Sequence, residues 1–262
     1  MIRISVVTIT YNAAKVLERT LGSVLGQTHR AIEHIIVDGA STDGTADMAR
    51  RYKAENDAAG TGHSVVVVSE PDRGLYDAMN KGLRMATGDY VVFMNAGDCY
   101  PGSGTVAAIA AAAEAGRTAG GQLPAVIYGD TDITDGEGRY LRPRRLRPPK
   151  RLTWRSFMRG MLVCHQAFYA RTDIARTTEY DLRYRFSADV DWCIRIMKEA
   201  AARRLPLTNA RTTVANYMEE GQTTMNHRAS LKERYRVMAA HYGHAATLAM
   251  HCAFVVRAVL KR

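Results

Sequence analysis

The sequence predicts an α/β fold: a doubly wound, mostly parallel sheet with a helical C-terminal extension. Two observations carry this. Short apolar, β-branched runs alternate with segments of helical period as β-α-β-α-β-α-β over the first 130 residues. Turn residues and carboxylates, Asp38-Gly39, Glu70-Pro71-Asp72 and Asn95 to Asp98, fall just behind the apolar runs. In such sheets ligands bind beyond the carboxyl ends of the strands.

Ile4 to Thr10 reads as a buried parallel strand. Asn12 is placed to cap a helix whose apolar positions, Val16, Leu17, Leu21, Val24 and Leu25, recur at helical spacing. Glu33 to Val37 is a second strand, and Ser41 to Thr45 supplies the turn and cap chemistry that opens a second helix. Ser64 to Val68 is a third strand and Leu75 to Ala86 a third helix, closed by Thr87-Gly88. Tyr90 to Met94, an alanine-rich helix over 105–116 and Ala125 to Tyr128 complete the alternation. After residue 130 the rhythm changes. Asp135-Gly136-Glu137-Gly138 reads as a hairpin turn, followed by a Pro- and Arg-rich stretch from Arg139 to Arg155. Val163 to Tyr169 reads as a strand, Ser187 as the cap of a helix over 188–203, and the chain from Arg228 as two helices broken near Gly243.

With 47% hydrophobic and 24% charged residues, the 262-residue chain has the composition of a soluble globular protein. That excludes a disordered tail, a collagen-like fibre and a polytopic membrane protein. The net charge of +10 is uneven: residues 1–130 hold 11 basic and 14 acidic side chains, residues 131–262 hold 25 and 12. An anionic partner is expected at the second half: nucleic acid, a membrane surface or a phosphorylated substrate. Cys99, Cys164, Cys193 and Cys252 show no CxxC spacing and read as reduced thiols of a cytoplasmic protein. The N-terminal apolar run is too short for a signal peptide, and no run of 18 uncharged apolar residues predicts a transmembrane helix.

Asp38, between Ile-Ile-Val and Gly39, is expected to face the crevice. A carboxylate there accepts hydrogen bonds from a base N–H or ribose hydroxyls, or else caps the next helix. Asp98 is a candidate ligand for a divalent cation that also touches phosphate, or a cap for the helix after Pro101. No GxGxxG follows the first strand and no GxxxxGK[ST] occurs, so neither a dinucleotide site nor a P-loop is expected.

Five blocks in order, SVVTITYN, VDGASTDGT, SEPDRGLYDAMNKGLRMATGDYVVFMNAGD, CHQAFYAR and YDLRYRFSADVDWCIR, carry a family resemblance. They resemble inverting family 2 glycosyltransferases of the Rossmann-like GT-A fold, above all the bacterial branch that builds O-antigens, exopolysaccharides and glycolipids. The resemblance implies a glycosyltransferase domain over 1–225, with a nucleotide-sugar half (1–130) and an acceptor and catalytic-base half (131–225). The helices of 226–262 lie beyond it. It implies that Thr8, Tyr11, Asn12 and Asp38 hold the base and ribose and that Asp72 lines the nucleoside pocket. Arg73, Asp77 and Lys81 would lie near the sugar or diphosphate. Asn95 to Asp98 occupies the place of the family's metal-binding DxD motif, with Asp98 as the ligand of Mg or Mn. Only the last acid of the usual run remains, which implies a water-rich site. Met218 to Thr223 stands where relatives carry a Gly-rich loop near the diphosphate, and His227 is a candidate late metal ligand.

Asp189 matches the family's catalytic base. A sugar hydroxyl is a poor nucleophile and needs a carboxylate to take its proton. In the first turn of a helix capped at Ser187, the helix dipole favours the ionised form. His165, Gln166 and Asp191 are candidate contacts to donor sugar or acceptor, Asp191 alternatively a solvated or helix-stabilising acid. The implied reaction moves a sugar from a nucleotide-diphosphate donor to a hydroxyl of a lipid-linked saccharide or glycolipid. It would take place at the inner face of the cytoplasmic membrane. The Arg139 to Arg155 stretch with Trp154, and the apolar helix ending in Lys261-Arg262, are candidate membrane contacts. Alternatively, that helix docks on the protein or joins copies in a homo-oligomer. Two rival classes are weaker. A sugar nucleotidyltransferase needs a Gly- and Arg-rich loop after the first strand, which Thr10 to Ala13 is not. A nucleic-acid binder needs aromatics interleaved with the Arg cluster, which Tyr140 and Trp154 only flank.

Overall fold

A computed structural model describes residues 1–219 and 227–259. Among these, eight strands form one sheet: β1 Ile4–Thr10, β2 Ile32–Asp38, β3 Ser64–Ser69, β4 Tyr90–Phe93, β5 Val126–Thr134, β6 Tyr140–Pro143, β7 Phe168–Arg171 and β8 Leu207–Met218. The helices are α1 Ala14–Leu25, α2 Thr45–Ala59, α3 Leu75–Met85, α4 Thr105–Ala115, α5 Thr172–Arg176, α6 Ala188–Ala202, α7 His227–Tyr242 and α8 His244–Val259. The sheet order is β3-β2-β1-β4-β7-β5-β6, with β8 paired to β5. The first four strands are mutually parallel, β7 runs antiparallel between β4 and β5, and β8 is parallel to β5. The chain winds from β1 to β2 and β3 on one side, then returns to β4 on the other. This puts the switch point between β1 and β4.

The α/β alternation is as the apolar pattern predicts, and the differences arise where partners are distant in sequence. The fifth strand extends from Tyr128 to Thr134 because β8 pairs along its whole length. Gly129 permits the approach: a Cβ there would lie 2.7 Å from the carbonyl oxygen of Thr212. The expected strand over Val163 to Tyr169 begins only at Phe168, since His165–Ala167 form a 3₁₀ turn. Asn12 does not cap α1. It has a φ of 47°, and the exposed amides of Ala13 and Ala14 bond instead to Thr45 Oγ1 and Asp43 Oδ2 of the neighbouring turn.

Aromatic stacking holds α6 against the sheet. Buried Trp192 stacks on Tyr180 at 4.9 Å and meets Phe93 and Phe168 edge-on. Asn80 of α3 fixes the Tyr180 backbone by accepting its N–H and donating to its carbonyl. The C-terminal helices are not a separate body: Val237 of α7 belongs to the same apolar core as β1 and β4. Trp154 is half-buried and stacks on Tyr242 at 5.7 Å, with the cations of Arg155 and Lys198 4.7 and 4.9 Å from its ring centroid. It is thus a packing residue of this interface. Among the described residues no helix is long and apolar enough to cross a membrane.

Below the sheet, the buried Glu33 carboxylate accepts from the Ser5 hydroxyl (2.5 Å) and from the amide and hydroxyl of Thr87, both at 2.7 Å. Burial alone would raise its pKa, but these bonds and Arg3 together bring it below the usual value. The stabilisation is therefore complete above the ordinary glutamate pKa of about 4.3 and is lost as pH falls through the lower folded-state value. Glu33→Gln turns an NH2 group toward hydroxyl and amide donors. It should lower urea-unfolding stability at pH 7 by about 1–3 kcal/mol and flatten the acid limb of stability against pH.

Candidate functional site

A cleft of about 1580 Å³ opens over the ends of β1 and β4, at the switch point. One wall is built by the turns after β1, β2 and β3. The turns are knitted together: the Asn12 amide donates to Ser41 Oγ, and the Thr42 amide donates to Asn12 Oδ1. Asp38 is fully buried and accepts from Ser41 and from the Ser69 hydroxyl at 2.6 Å. Gly39 takes its place on the cleft surface, beside Tyr11 and Asp72. A Cβ at Gly39 would sit 2.6 Å from Asp72 Oδ2 and 3.2 Å from the Tyr11 ring, so only glycine leaves this wall open. Tyr11 is 65% exposed.

The floor is formed by Asn95, Asp98, His165 and Gln166. Asp98 is only 4% exposed. Its Oδ1 accepts from the Met218 amide at 2.9 Å and its Oδ2 from Gln166 Nε2 at 2.7 Å. Burial pushes its pKa up to about 6 in spite of these bonds. Asn95 Oδ1 and Gln166 Oε1 are buried without a hydrogen-bond partner. One carboxylate with two unmet amide oxygens fits a hard, oxygen-preferring divalent cation. Among the described residues no cluster of three or more His, Cys, Asp or Glu exists that could hold a metal. Glu220 to Thr223 and the His227 side chain lie outside the described residues.

The opposite wall carries Asp189, in the first turn of α6. Its carboxylate accepts from the Tyr76 hydroxyl at 3.3 Å, from its neighbour's amide, Val190 N, at 2.9 Å and from His165 Nδ1 at 3.4 Å. Burial opposes the charge. The His165 bond, with the nearby Arg234 guanidinium and the Val190 amide, outweighs it, so the carboxyl lies below the usual range and is ionised at neutral pH. His165 Nε2 in turn meets Asn95 Nδ2 at 3.2 Å, so this one ring links floor to wall.

The structure therefore gathers Tyr11, Asp72, Arg73, Asp77, Asn95, Asp98, His165, Gln166 and Asp189 around one cleft. Five expected contacts lie elsewhere. Thr8 is buried two residues below the strand end and bonds His34 Nε2 at 2.9 Å. Asn12 and Asp38 face the turns they hold. Lys81 reaches the Pro71 carbonyl and Glu70, supporting the Glu70–Asp72 turn from behind. Asp191 is neither solvated nor in the cleft: Arg195 and His241 hold it between α6 and α7. Arg73 and Asp77 pair with each other at the rim. Tyr76 and Arg234 were not expected in the cleft. Tyr76 sits inside a block that carries the resemblance and had a signal there, a hydroxyl on the buried helix face of Met79, Asn80 and Leu83. Arg234, one of several charges in LKERYR, had none.

Comparison with known proteins identifies the family and the fold. The family model "Glycosyl transferase family 2" matches residues 5–176. A PGL/p-HBAD biosynthesis glycosyltransferase of Mycobacterium bovis is 34% identical over 219 residues, 83% of this chain and 77% of that protein. S. aureus TarS 1–349 in complex with UDP-GlcNAc matches with a TM-score of 0.69 and 15% identity, over 97% of this chain and 71% of that one. Against the longer TarS chain, the match spans 38% of its length. The mannosyltransferase PcManGT of Pyrobaculum calidifontis, in complex with GDP-Man and Mn2+, matches with a TM-score of 0.59 and 19% identity, over 97% and 75% of the two chains. Those two likenesses establish the fold, as a GT-A sheet with C-terminal helices. The family match over most of the chain and the mycobacterial relative go further: this chain belongs to glycosyl transferase family 2 and is a glycosyltransferase.

Proposed function

We propose that this glycosyltransferase inverts configuration as it moves a sugar from a nucleoside-diphosphate donor to a hydroxyl of a lipid-linked saccharide or glycolipid. The observation that carries the reading is Asp189: a carboxylate held ionised, in the same cleft as Asp98 and linked to its floor through His165. Asp189 takes the proton of the acceptor hydroxyl as its oxygen bonds to the anomeric carbon. The bond from that carbon to the diphosphate oxygen breaks with its electron pair, and the nucleoside diphosphate leaves. With one displacement and no enzyme nucleophile, the anomeric configuration inverts. The Tyr76 hydroxyl and His165 orient the carboxylate.

The donor's nucleoside is placed against Tyr11, Gly39 and Asp72. Asn12, Asp38 and Lys81 serve it by holding those turns. UDP-GlcNAc and GDP-Man in the two solved neighbours support a nucleoside-diphosphate sugar as the class of donor. The Mn2+ of PcManGT supports a cation. Asp98 would hold it, with Asn95 Oδ1 and Gln166 Oε1 as further oxygens, and it would supply positive charge against the leaving diphosphate.

The acceptor's lipid is the reason to propose a peripheral place at the inner face of the membrane. Within the basic stretch, Arg139 pairs with Asp135 and Glu137, and Arg142 pairs with Glu219. Arg144 donates to the carbonyls of Leu146, Met161 and Leu162. Arg145, Arg147, Lys150 and Arg151 are exposed, and none forms an ion pair among the described residues. These four, with Arg155, which is also exposed and rests on the Trp154 ring, are the cations of the stretch available to an anionic leaflet.

Asp189→Asn should lower transfer by about 10²- to 10⁴-fold. It should leave intact the thermal stabilisation by UDP or GDP with Mg or Mn; full activity would remove Asp189 from the role of base. Asp98→Asn should abolish the cation-dependent part of that stabilisation, and EDTA should do the same to the wild type. Reversing Arg145, Arg147, Lys150 and Arg151 to Glu should release the protein from vesicles containing anionic lipid. Unchanged co-sedimentation would reject this surface as the membrane contact.

A further inference from the structure

The helix that carries Asp189 is not capped by its own sequence. Ser187 stands at the N-cap of α6, but its hydroxyl makes no cap bond and is buried without a partner. The amides at a helix start have no carbonyl within the helix to pair with, and leaving them unmet costs stability and order. Here the acceptor for the N-cap amide, and for the two amides that lead into the helix, comes from α7. Glu233 Oε2 accepts from the Arg185 amide at 2.8 Å, and Oε1 accepts from the amides of Phe186 and Ser187, both at 2.6 Å. Three consecutive amides thus converge on one carboxylate, in charge-assisted bonds of the strong kind.

The helix that delivers Glu233 is itself pinned. Two turns further along α7, His241 Nε2 donates to Asp191 at 2.8 Å, and Lys198 Nζ donates to His241 Nδ1 at 2.9 Å. Arg195 completes the Asp191 carboxylate at 2.6 Å. Glu233 and His241 therefore grip α6 at Ser187 and Asp191, one on each side of Asp189. Arg234, next to Glu233, lines the cleft beside that residue. None of these α7 contacts falls within residues 5–176, the extent of the family-model match.

We propose that Glu233 is a positioning residue for the transfer reaction. By capping α6 from α7 it holds the 185–189 segment, and with it the direction in which the Asp189 carboxylate meets the acceptor hydroxyl. The proposal rests on Asp189 being the base. A displacement of about 1 Å at a reacting group can cost on the order of 10²-fold in rate, so the cap acts on kcat. Among the described residues its hydrogen bonds run to the 185–187 amides and not to Tyr11, Gly39 or Asp72, so donor affinity should be spared.

The test is a double-mutant cycle on the full chain. Its readout is nucleoside diphosphate released from the UDP- or GDP-sugar that the wild type hydrolyses, with water in place of the acceptor hydroxyl. Glu233→Ala should lower kcat by about 10- to 100-fold while KM for the nucleotide sugar stays within about threefold. Glu233→Gln, which keeps one acceptor oxygen, should recover part of the loss. Added to Asp189→Asn, Glu233→Ala should change the residual rate by less than about threefold, because it acts through a carboxylate no longer there. If Glu233→Ala does not fold, Glu233→Asp, one methylene shorter, takes its place in the cycle. Wild-type kcat in the Glu233 variant, or losses that multiply in the double variant, would overturn the proposal. A fully active Asp189→Asn enzyme would instead overturn the base on which it rests, a separate and recognisable result.

Discussion

The buried carboxylate of Asp98 is where the two halves of the chain are joined. It leaves the end of β4, and both bonds it accepts come from the second half, from Met218 at the end of β8 and Gln166 in the 3₁₀ turn. A paired backbone bridge between Cys99 and Asn216 lies beside it. Arg19 reinforces the joint from α1, reaching the carbonyls of Gly97 at 2.6 Å and Gly136 at 3.0 Å. A buried charge without partners would be costly, so these contacts are what allow a carboxylate to stand at the cleft floor at all. The cleft exists because the joint holds the wall carrying Asp189 opposite the turns after β1 and β2.

Four of the carboxylates that shape the molecule are buried, and they divide by how fully they are engaged. Glu33, Asp38 and Asp191 have their oxygens occupied by hydroxyls, amides, an arginine or a histidine, and each fixes one element against another. Asp98 is satisfied less strongly: its pKa stays raised, and unmet amide oxygens stand beside it. Asp189, partly exposed, differs again, with its charge favoured while the cleft remains open in front of it. Residues of one chemical type thus act as rivets in some places and stand open to a ligand in others, according to the number and kind of donors around them.

The first half of the fold was readable because its signals are local. Buried parallel strands are short β-branched runs, helices repeat every 3.6 residues, and site residues follow the strands directly. The second half depends on distant partners. The length of β5 is decided by β8, and the turn at His165 by its place between Asn95 and Asp189. Side-chain direction was harder to read than position. Thr8 and Asp38 lie in the right stretches, but His34 and Ser69 draw them inward. Asp191 looked like an ordinary exposed helix acid because nothing near it in sequence announces His241. Ser187 marked the start of α6 correctly although another residue does the capping.

The stack of Trp154 on Tyr242 has a mechanical consequence. The ring belongs to the segment that directly follows the exposed cations of the 145–151 loop, and its carbonyl accepts the Tyr242 hydroxyl at 2.5 Å. Tyr242 ends the same helix whose first half presents Arg234 to the cleft and Glu233 to the start of α6. The basic loop, that helix and the segment carrying Asp189 are therefore joined by one continuous set of contacts. On the proposed reading, whatever anchors the loop would set the height and tilt at which a tethered hydroxyl enters, much as a workbench fixes the angle of a tool clamped to its edge.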